Sequence, residues 1–520
     1  MIKVVDIFAG PGGLSEGFAS VLQEDGNPAF DIVLSIERDS SAYETLFLRS
    51  FFRAFEDRVP DDYYSFLRHK MELPKLFERH SVQAATAHRK CWLAELGATH
   101  TPVDIVRERI SAAIGNSMDW VLIGGPPCQA YSIVGRSRNR GNSSYDPSAD
   151  VRQRLYVEYL QIVADHRPAV FIMENVKGLL SAELKSERLF HRILEDLRSP
   201  GLALAREGRS ALPANPSRYR IYSLVTPQVF EDGEMGGSVV KAELYGVPQA
   251  RHRVILIGLR EDLDGTKPQT MTPQAGVTAG QVLDSLPPLR SGLSREVDSA
   301  CAWERALRSQ THALWVEESS HGLGSTELAT QIRGCLRNIT APPCDRGDIF
   351  VPSAPSTDYQ ADWYLDDRIE GTFNHRTRAH MQSDLYRYIF AATFASLNGR
   401  SPTLRDFPPS LLPHHLNVRS GLLQGADFSD RFRVQMATRP STTVVSHISK
   451  DGHYYIHYDP YQCRSLTVRE AARLQTFPDN YYFCGSTTAQ YTQVGNAVPP
   501  FLAKQIGEIV CGVIAKAGGG

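Results

Sequence analysis

Short runs of apolar, largely β-branched residues alternate along the first half of the chain with longer stretches of helical pattern. The clearest runs are IKVVDIF at 2–8, DIVLSIE at 31–37, WVLIGG at 120–125, AVFIME at 169–174 and RVILIGL at 253–259. Runs of this length, apolar on both faces and separated by helix-like text, predict buried parallel strands in βαβ units. The segments from Leu14 to about Gln23 and from Leu155 to Ala164 predict crossover helices. An open α/β sheet over roughly residues 1–260 is the expectation.

Two regions break the rhythm. Between Tyr43 and about His100 the text turns aromatic, charged and helix-like (FLRSFFRAFEDRVPDDYYSFLRHK), which predicts an inserted helical element at about 44–100. From about Asp264 to Pro440 many Pro, Ser and Gly residues with scattered Trp and His predict a second, irregular domain. Periodicity then returns in SLTVREAARLQTF and in a final helix from about Pro500 to Ala515. SHISKDGHYYIHYDPYQC at 446–463 predicts a hairpin around a D-G turn, which either packs the domain junction or touches a polymer backbone. The plan is thus a first domain at 1–263, a second at 264–440 and a segment at 441–520 that returns to the first.

Composition narrows the class. With 520 residues, 42% hydrophobic and 22% charged, the chain is neither disordered nor fibrous. Lys and Arg number 56 against 58 Asp and Glu, a formal net charge of -2, which excludes a globally basic coat and leaves room for a local basic face. No two of the eight cysteines form C-x-x-C, so zinc spacing is absent and a disulfide framework is not expected at this length. The N-terminus lacks a signal-peptide core, and no window reaches 18 consecutive apolar residues. A reducing, cytoplasmic setting without a membrane span is expected.

Four places carry candidate chemistry. Asp6-Ile7-Phe8-Ala9-Gly10-Pro11-Gly12-Gly13 follows a strand and opens a helix, so backbone can approach a ligand near a helix N-terminus. Glu37, 27 positions after Gly10, ends the second strand, where an acid can accept from ribose hydroxyls. A plain tight turn with a surface acid reads as well, and Pro11 spoils a dehydrogenase-like fingerprint. Gly124-Gly125-Pro126-Pro127-Cys128-Gln129 ends a strand abruptly, because two prolines cannot donate to a ladder. Cys128 is thereby presented at the carboxyl end of the sheet as a candidate nucleophile, with a small buried hydrophobe as the alternative. The arginines at 136, 138, 140, 152 and 154 that follow form a basic stretch suited to a phosphate-bearing polymer, or simply a solvated loop. Glu174 caps the strand AVFIM and needs a partner if buried, with its pKa then raised toward a proton-donating range. Gln249, Arg251 and Arg253 alternate onto one face at a strand entrance, where they can hold a polar ring or a phosphate, or line a solvated edge.

In this order the motifs DIFAGPGGLSEGF, SIERD, GGPPCQAYS, MENVKG, QARHRV, LTVREAARLQTFPD and QVGNAVPP closely resemble the cytosine-C5 DNA methyltransferase family, from residue 5 to about 500. The resemblance implies a Rossmann-like S-adenosylmethionine-dependent methyltransferase domain, mostly parallel sheet with helices on both faces, plus a smaller irregular target recognition domain at 264–440. It implies that Phe8, Gly10, Gly12 and Gly13 cradle S-adenosylmethionine and that Glu37 binds its ribose. Asp104 and Ile105 would meet the adenine, Leu155 would line the pocket and Asn496 would close it. Cys128 would be the nucleophile, Glu174 would hold the base, and Arg251 and Arg253 would orient it. The implied reaction attacks carbon 6 of a flipped-out cytosine with Cys128 and passes a methyl group to carbon 5, leaving S-adenosylhomocysteine, with no metal. Implied partners are double-stranded DNA and, in a restriction–modification or related defence setting, a cognate restriction endonuclease or other defence-system proteins. The implied location is cytoplasmic and nucleoid-associated.

Departures from the family pattern are the long stretch from Asp39 to Asp104 and the generous second domain. Asn374, His375, Arg376, Arg378 and His380 are candidate base contacts in a polar, helix-like stretch that reads equally as a solvated face. Three other readings compete. The tRNA-methylating branch of the family carries a Cys-Phe-Thr triplet that is absent here. A catalytically silent DNA-binding subunit of a defence complex is opposed by the intact Cys128, Glu174 and Arg253. A small-molecule methyltransferase is opposed by the basic stretch and the large second domain.

Overall fold

A computed structural model describes residues 1–55, 58–127, 151–184, 187–209, 216–230, 236–263, 265–321, 325–413 and 430–518, with backbone alone at 151–154, 183–184, 187–188 and 518. The chain divides into two compact units, one of residues 1–58, 77–276 and 497–520, the other of residues 59–76 and 277–496.

The first unit is built on an eight-stranded sheet. Its strands are β1 (Ile2–Ile7), β2 (Phe30–Glu37), β3 (Cys91–Leu93), β4 (Val121–Gly124), β5 (Val170–Val176), β6 (Tyr219–Ser223), β7 (Val239–Lys241) and β8 (His252–Arg260). The order is β3-β2-β1-β4-β5-β8-β6, with β7 also on β8. The five strands from β3 to β5 are parallel. β8 runs antiparallel to β5, β6 and β7. The run RVILIGL was expected to be parallel like the rest. Its apolar alternation reports burial on both faces, and burial is blind to strand direction.

Both faces of the sheet are dry. Val5, Ile7, Leu122, Phe171 and Met173 pack on one side with the helices Val103–Ile114, Val151–His166 and Leu189–Arg198. Val4, Val121, Ile123 and Ile172 pack on the other with the first helix, Gly13–Ala19, and the last, Pro500–Gly518. These two helices lie so close that a Cβ at Gly17 would meet Ala503 Cβ at 2.4 Å and the Pro500 carbonyl at 2.5 Å. Of the described residues, Thr487–Ala517 is long and apolar enough by length and composition to cross a membrane, and 67% of its apolar window is buried inside the protein. Within the first unit, packing accounts for that apolarity.

The insertion is helical but not one body. Ser40–Arg53 and Ser81–Lys90 belong to the first unit, followed at once by β3, an edge strand that the helical text concealed. Residues 59–76, including the helix Asp61–Leu67, belong to the second unit. There Tyr64 donates to Asp366 at 2.8 Å, Arg68 pairs with Glu370 at 2.9 Å and Arg368 lies 4.0 Å from the Tyr64 ring centroid. The return to the first unit comes at Ala497 rather than near residue 441. The second unit has little sheet, its longest pair being Gly347–Pro352 against Gly371–Arg376. Its core is instead helical, with Thr326–Asn338 and Gln382–Asn398 packing Trp303, Ile332, Leu336 and Phe390. Scattered Pro and Gly made this region read as loop-rich, although the helices between them carry good caps at Ser299 and Ser325.

Candidate active site

The carboxyl ends of β1, β2, β4 and β5 are aligned by register, Ile7 opposite Ile36 and Gly124, and Gly124 opposite Met173. From β1 the chain moves outward to β2 and β3, then crosses back to β4 and β5. The order therefore reverses between β1 and β4, and such a switch point opens a crevice at the carboxyl ends. Gly124 lets the two strands close there, since a Cβ on it would meet the Ile7 carbonyl at 2.5 Å.

The loop after β1 holds a strained path, with φ of +57° at Phe8, +57° at Gly10 and +94° at Gly12. Glycine relieves the last two; Phe8 pays the steric penalty itself. Glu37 braces the loop. Its Oε2 accepts from the Gly10 N–H at 2.7 Å and its Oε1 from the Asp39 N–H at 2.8 Å. Each oxygen keeps a second acceptor position, the set that a pair of vicinal ribose hydroxyls needs. Gly13 opens the first helix where a Cβ would meet the Val498 carbonyl at 2.3 Å, so it serves close packing. The glycines, Phe8 and Glu37 are thus brought together, and their chemistry fits a nucleoside cofactor.

The other cofactor candidates are placed differently. Leu155 is buried in the helix Val151–His166. Asp104 and Ile105 are exposed in the first turn of Val103–Ile114, where Asp104 pairs with Arg107 at 2.7 Å. What lies beside Glu37 is the segment after β3, whose Ala94 N–H donates to the Glu37 carbonyl at 2.9 Å. Ala94, Glu95 and Leu96 carry no signal of this adjacency in the sequence, because three residues of β3 are too short a run to stand out in helical text. Asn496 ends the helix Thr487–Asn496 and belongs to the second unit.

After β4 the backbone is followed through Pro127; Cys128 and the arginines at 136, 138 and 140 lie outside the described residues, as do the side chains of Arg152 and Arg154. The described part of this turn is fixed on two sides. A Cβ at Gly125 would sit 2.9 Å from Glu174 Oε2, and Asn175 Nδ2 donates to the Pro126 carbonyl at 3.2 Å. Glu174 has the partner that its position demands: Arg253 Nε stands 2.9 Å from Oε1, both side chains being about 15% exposed (14% and 15%). Arg253 also donates to the His252 carbonyl at 2.9 Å. Arg251 and Gln249 are fully buried, so this is not a solvated edge. Among the described residues no cluster of three His, Cys, Asp or Glu could hold a metal.

Of the five second-unit candidates, Asn374 and His375 are structural. Asn374 accepts from the Phe483 N–H at 3.0 Å, and the His375 ring lies 2.9 Å from both Thr467 Oγ1 and the Pro287 carbonyl. They sit on a strand, Gly371–Arg376, where a helical stretch was expected. Arg376 is exposed, while Arg378 and His380 line a cavity.

A glycine loop and an acid stand at the switch point of a mostly parallel sheet, and Gly125, at the start of a proline-rich turn, lies against a carboxylate–guanidinium pair, an arrangement whose chemistry fits an α/β fold that takes a nucleoside. The family model for C-5 cytosine-specific DNA methylase matches residues 85–207 and 234–511. The type II methyltransferase M.Bpa9945I of Bacillus paralicheniformis is 31% identical over 98% of this chain and 99% of its own length. M.AgeI of Thalassovita gelatinovora, another type II methyltransferase, is 26% identical over 98% and 99%. The DNA (cytosine-5-)-methyltransferase M.ApeKI of Aeropyrum pernix is 26% identical over 76% of this chain and 81% of its own. The chain belongs to the C-5 cytosine-specific DNA methylase family, a family of methyltransferases acting on DNA cytosine.

Proposed function

We propose that the chain is a sequence-specific DNA methyltransferase that uses Cys128 as a covalent nucleophile on a flipped-out cytosine, in a restriction–modification setting. The observation that carries the reading is the Glu174–Arg253 pair at 2.9 Å, with Gly125, three residues before Cys128, set against the Glu174 carboxylate. A base must leave the stack to reach such a site. Glu174, carrying a proton, then donates it or a hydrogen bond to ring nitrogen 3 while the Cys128 thiolate bonds to carbon 6, which turns carbon 5 into an enamine-like nucleophile. Arg253 fixes the carboxylate and, with Arg251, the base. S-Adenosylmethionine, when bound, supplies an electrophilic methyl group. Loss of the carbon 5 proton and departure of the thiolate restore the ring.

For the cofactor, Phe8, Gly10, Gly12, Gly13, Glu37 and Leu155 are the proposed binding set, with Ala94–Leu96 taking the adenine side in place of Asp104 and Ile105. Asn496 stays a proposed closing residue. The proposed location is the cytoplasm, where the DNA is. The test is transfer of labelled methyl groups from S-adenosylmethionine to unmodified DNA, with tRNA alongside and bisulfite sequencing of the product. Label at one short recurring DNA site is expected, and Cys128→Ala should lower the rate at least about a thousandfold while cofactor binding persists. Label in tRNA alone overturns the DNA reading; robust turnover by Cys128→Ala overturns the nucleophile.

A further inference from the structure

The segment at 446–454 takes no part in the chemistry above. It is not a hairpin: 3-10 turns at Ser446–Ser449 and Gly452–Tyr454 fold it back on itself. Arg378 fastens it, donating to the Ile448 carbonyl while its guanidinium lies 3.9 Å from the Tyr491 ring centroid. Gly452 sits where a Cβ would meet Ser465 Oγ at 2.8 Å, which keeps the turn tight. The result is a cavity of about 460 Å³ within the second unit, walled by this segment, the strand end at Ala379–His380 and the start of the helix Gln382–Asn398.

Its charge is lopsided. Arg378, Arg431 and Lys450 line it, and among the described residues its acids are Asp384 and Asp451. Both acids are engaged: Asp384 pairs with Arg387 at 2.9 Å, and Asp451 accepts the His453 N–H at 2.9 Å. Three histidines, His380, His447 and His453, stand in the wall, and His380 and His453 are joined through the Tyr388 hydroxyl, at 3.3 and 2.8 Å. Burial lowers the pKa of both, to about 3 for His380, so they are neutral donors and acceptors. The positive charge therefore comes from the two arginines and the lysine, and Lys450 is exposed with no ion pair among the described residues. An anion finds three cationic side chains there, of which Arg431 and Lys450 carry no ion pair among the described residues and Arg378 also holds the Ile448 carbonyl.

We propose that this cavity receives a phosphate of the DNA backbone, gripped by Arg378, Arg431 and Lys450. The inference rests on the DNA-methyltransferase reading. A chain of net charge -2 must concentrate its positive potential locally to hold a polyanion, and phosphate contacts of this kind position the duplex without reading its sequence.

The test measures binding of the full chain to a methylatable duplex and to an unrelated one across a salt series, for the parent, for Lys450→Ala and for the Arg431→Ala/Lys450→Ala double variant. These two side chains are chosen because Arg378 also anchors the segment. Each removed contact should weaken both duplexes alike, by about tenfold. It should also reduce the slope of log affinity against log salt by about 1. Unchanged affinity and slope in the double variant, while the parent still methylates DNA, overturns this inference and leaves the enzyme reading standing. A loss confined to one sequence also overturns it, in favour of a base contact. Methylation of tRNA and not DNA by the parent removes the underlying reading and this inference with it.

Discussion

Two buried carboxylates, Glu16 in the first unit and Glu470 in the second, solve the same problem in different settings. Burial would raise the pKa of each, and arginines overcome it: Arg49 and Arg53 pull Glu16 down to about 2, and Arg464, helped by His457 and His375, pulls Glu470 down further. Glu16 meets Arg49 and Arg53 at 2.6 and 2.5 Å, stapling the first helix to Ser40–Arg53 beside a sheet that is already complete. Glu470 meets Arg464 through both oxygens at 2.7 and 2.6 Å, inside a unit that has almost no sheet. There the guanidinium groups replace the ladder. Arg464 donates to the Leu289 and Ser465 carbonyls, Arg469 to those of Phe373, Pro478 and Tyr481, and Arg473 to that of Val282. Buried carbonyls must find donors, and where strands are short, side chains provide them. The motif LTVREAARLQTFPD is thus the hydrogen-bonding centre of the second unit.

The largest effect should come from Glu470→Ala, which strands a fully buried Arg464 and should destabilise the second unit by about 3–5 kcal/mol. Hydrogen exchange at 467–483 would report it. Glu16→Ala should cost less, because Arg53 is 35% exposed in its side chain and can turn to water. A larger loss at Glu16 than at Glu470 would break the comparison.

Asp6 sharpens the contrast with the opposite sign. It is fully buried on β1 with Ser15, through side chain and backbone, as its weak hydrogen-bonding neighbour; burial lifts its pKa to about 7, opposed by Ser15 and aided by the Glu37 charge. A carboxyl raised in the folded state contributes stability below its unfolded pKa near 4 and loses it as pH climbs toward 7. Asp6→Asn should therefore raise the melting temperature above pH 7, and the gain should fade below about pH 4. For Glu16 the window is reversed: its contribution is present above about pH 4.5 and is lost as pH falls toward 2. A thermal scan across pH separates the two, and an Asp6→Asn gain that is flat with pH would refute the Asp6 account. The smallest effect belongs to the sheet itself, where Ile172→Val should cost about 1 kcal/mol by denaturant titration.

Much of the site could be read along the chain. Phe8, Gly10, Gly12, Gly13 and Glu37 fall together because a strand, a turn and the next strand of a parallel sheet must place their carboxyl ends side by side. Glu174 and Arg253 were singled out separately, each as a polar group at the end of an apolar run. Their pairing depends on β8 lying beside β5 in antiparallel register, which no local pattern contains. Asp104 and Ile105 lie exposed on a helix, while the segment that adjoins Glu37 follows a three-residue strand too short to show in the sequence pattern.

The sequence by itself determined which runs are buried, where glycine and proline force turns, and which polar side chains stand at strand ends, because periodicity and backbone restriction act over a few residues. Only the tertiary structure decided strand direction, the membership of residues 59–76 in the second unit, the partners of the buried arginines and the basic cavity under 446–454. Each of those depends on contacts between residues tens to hundreds of positions apart, and apolarity or charge at one position does not name its partner.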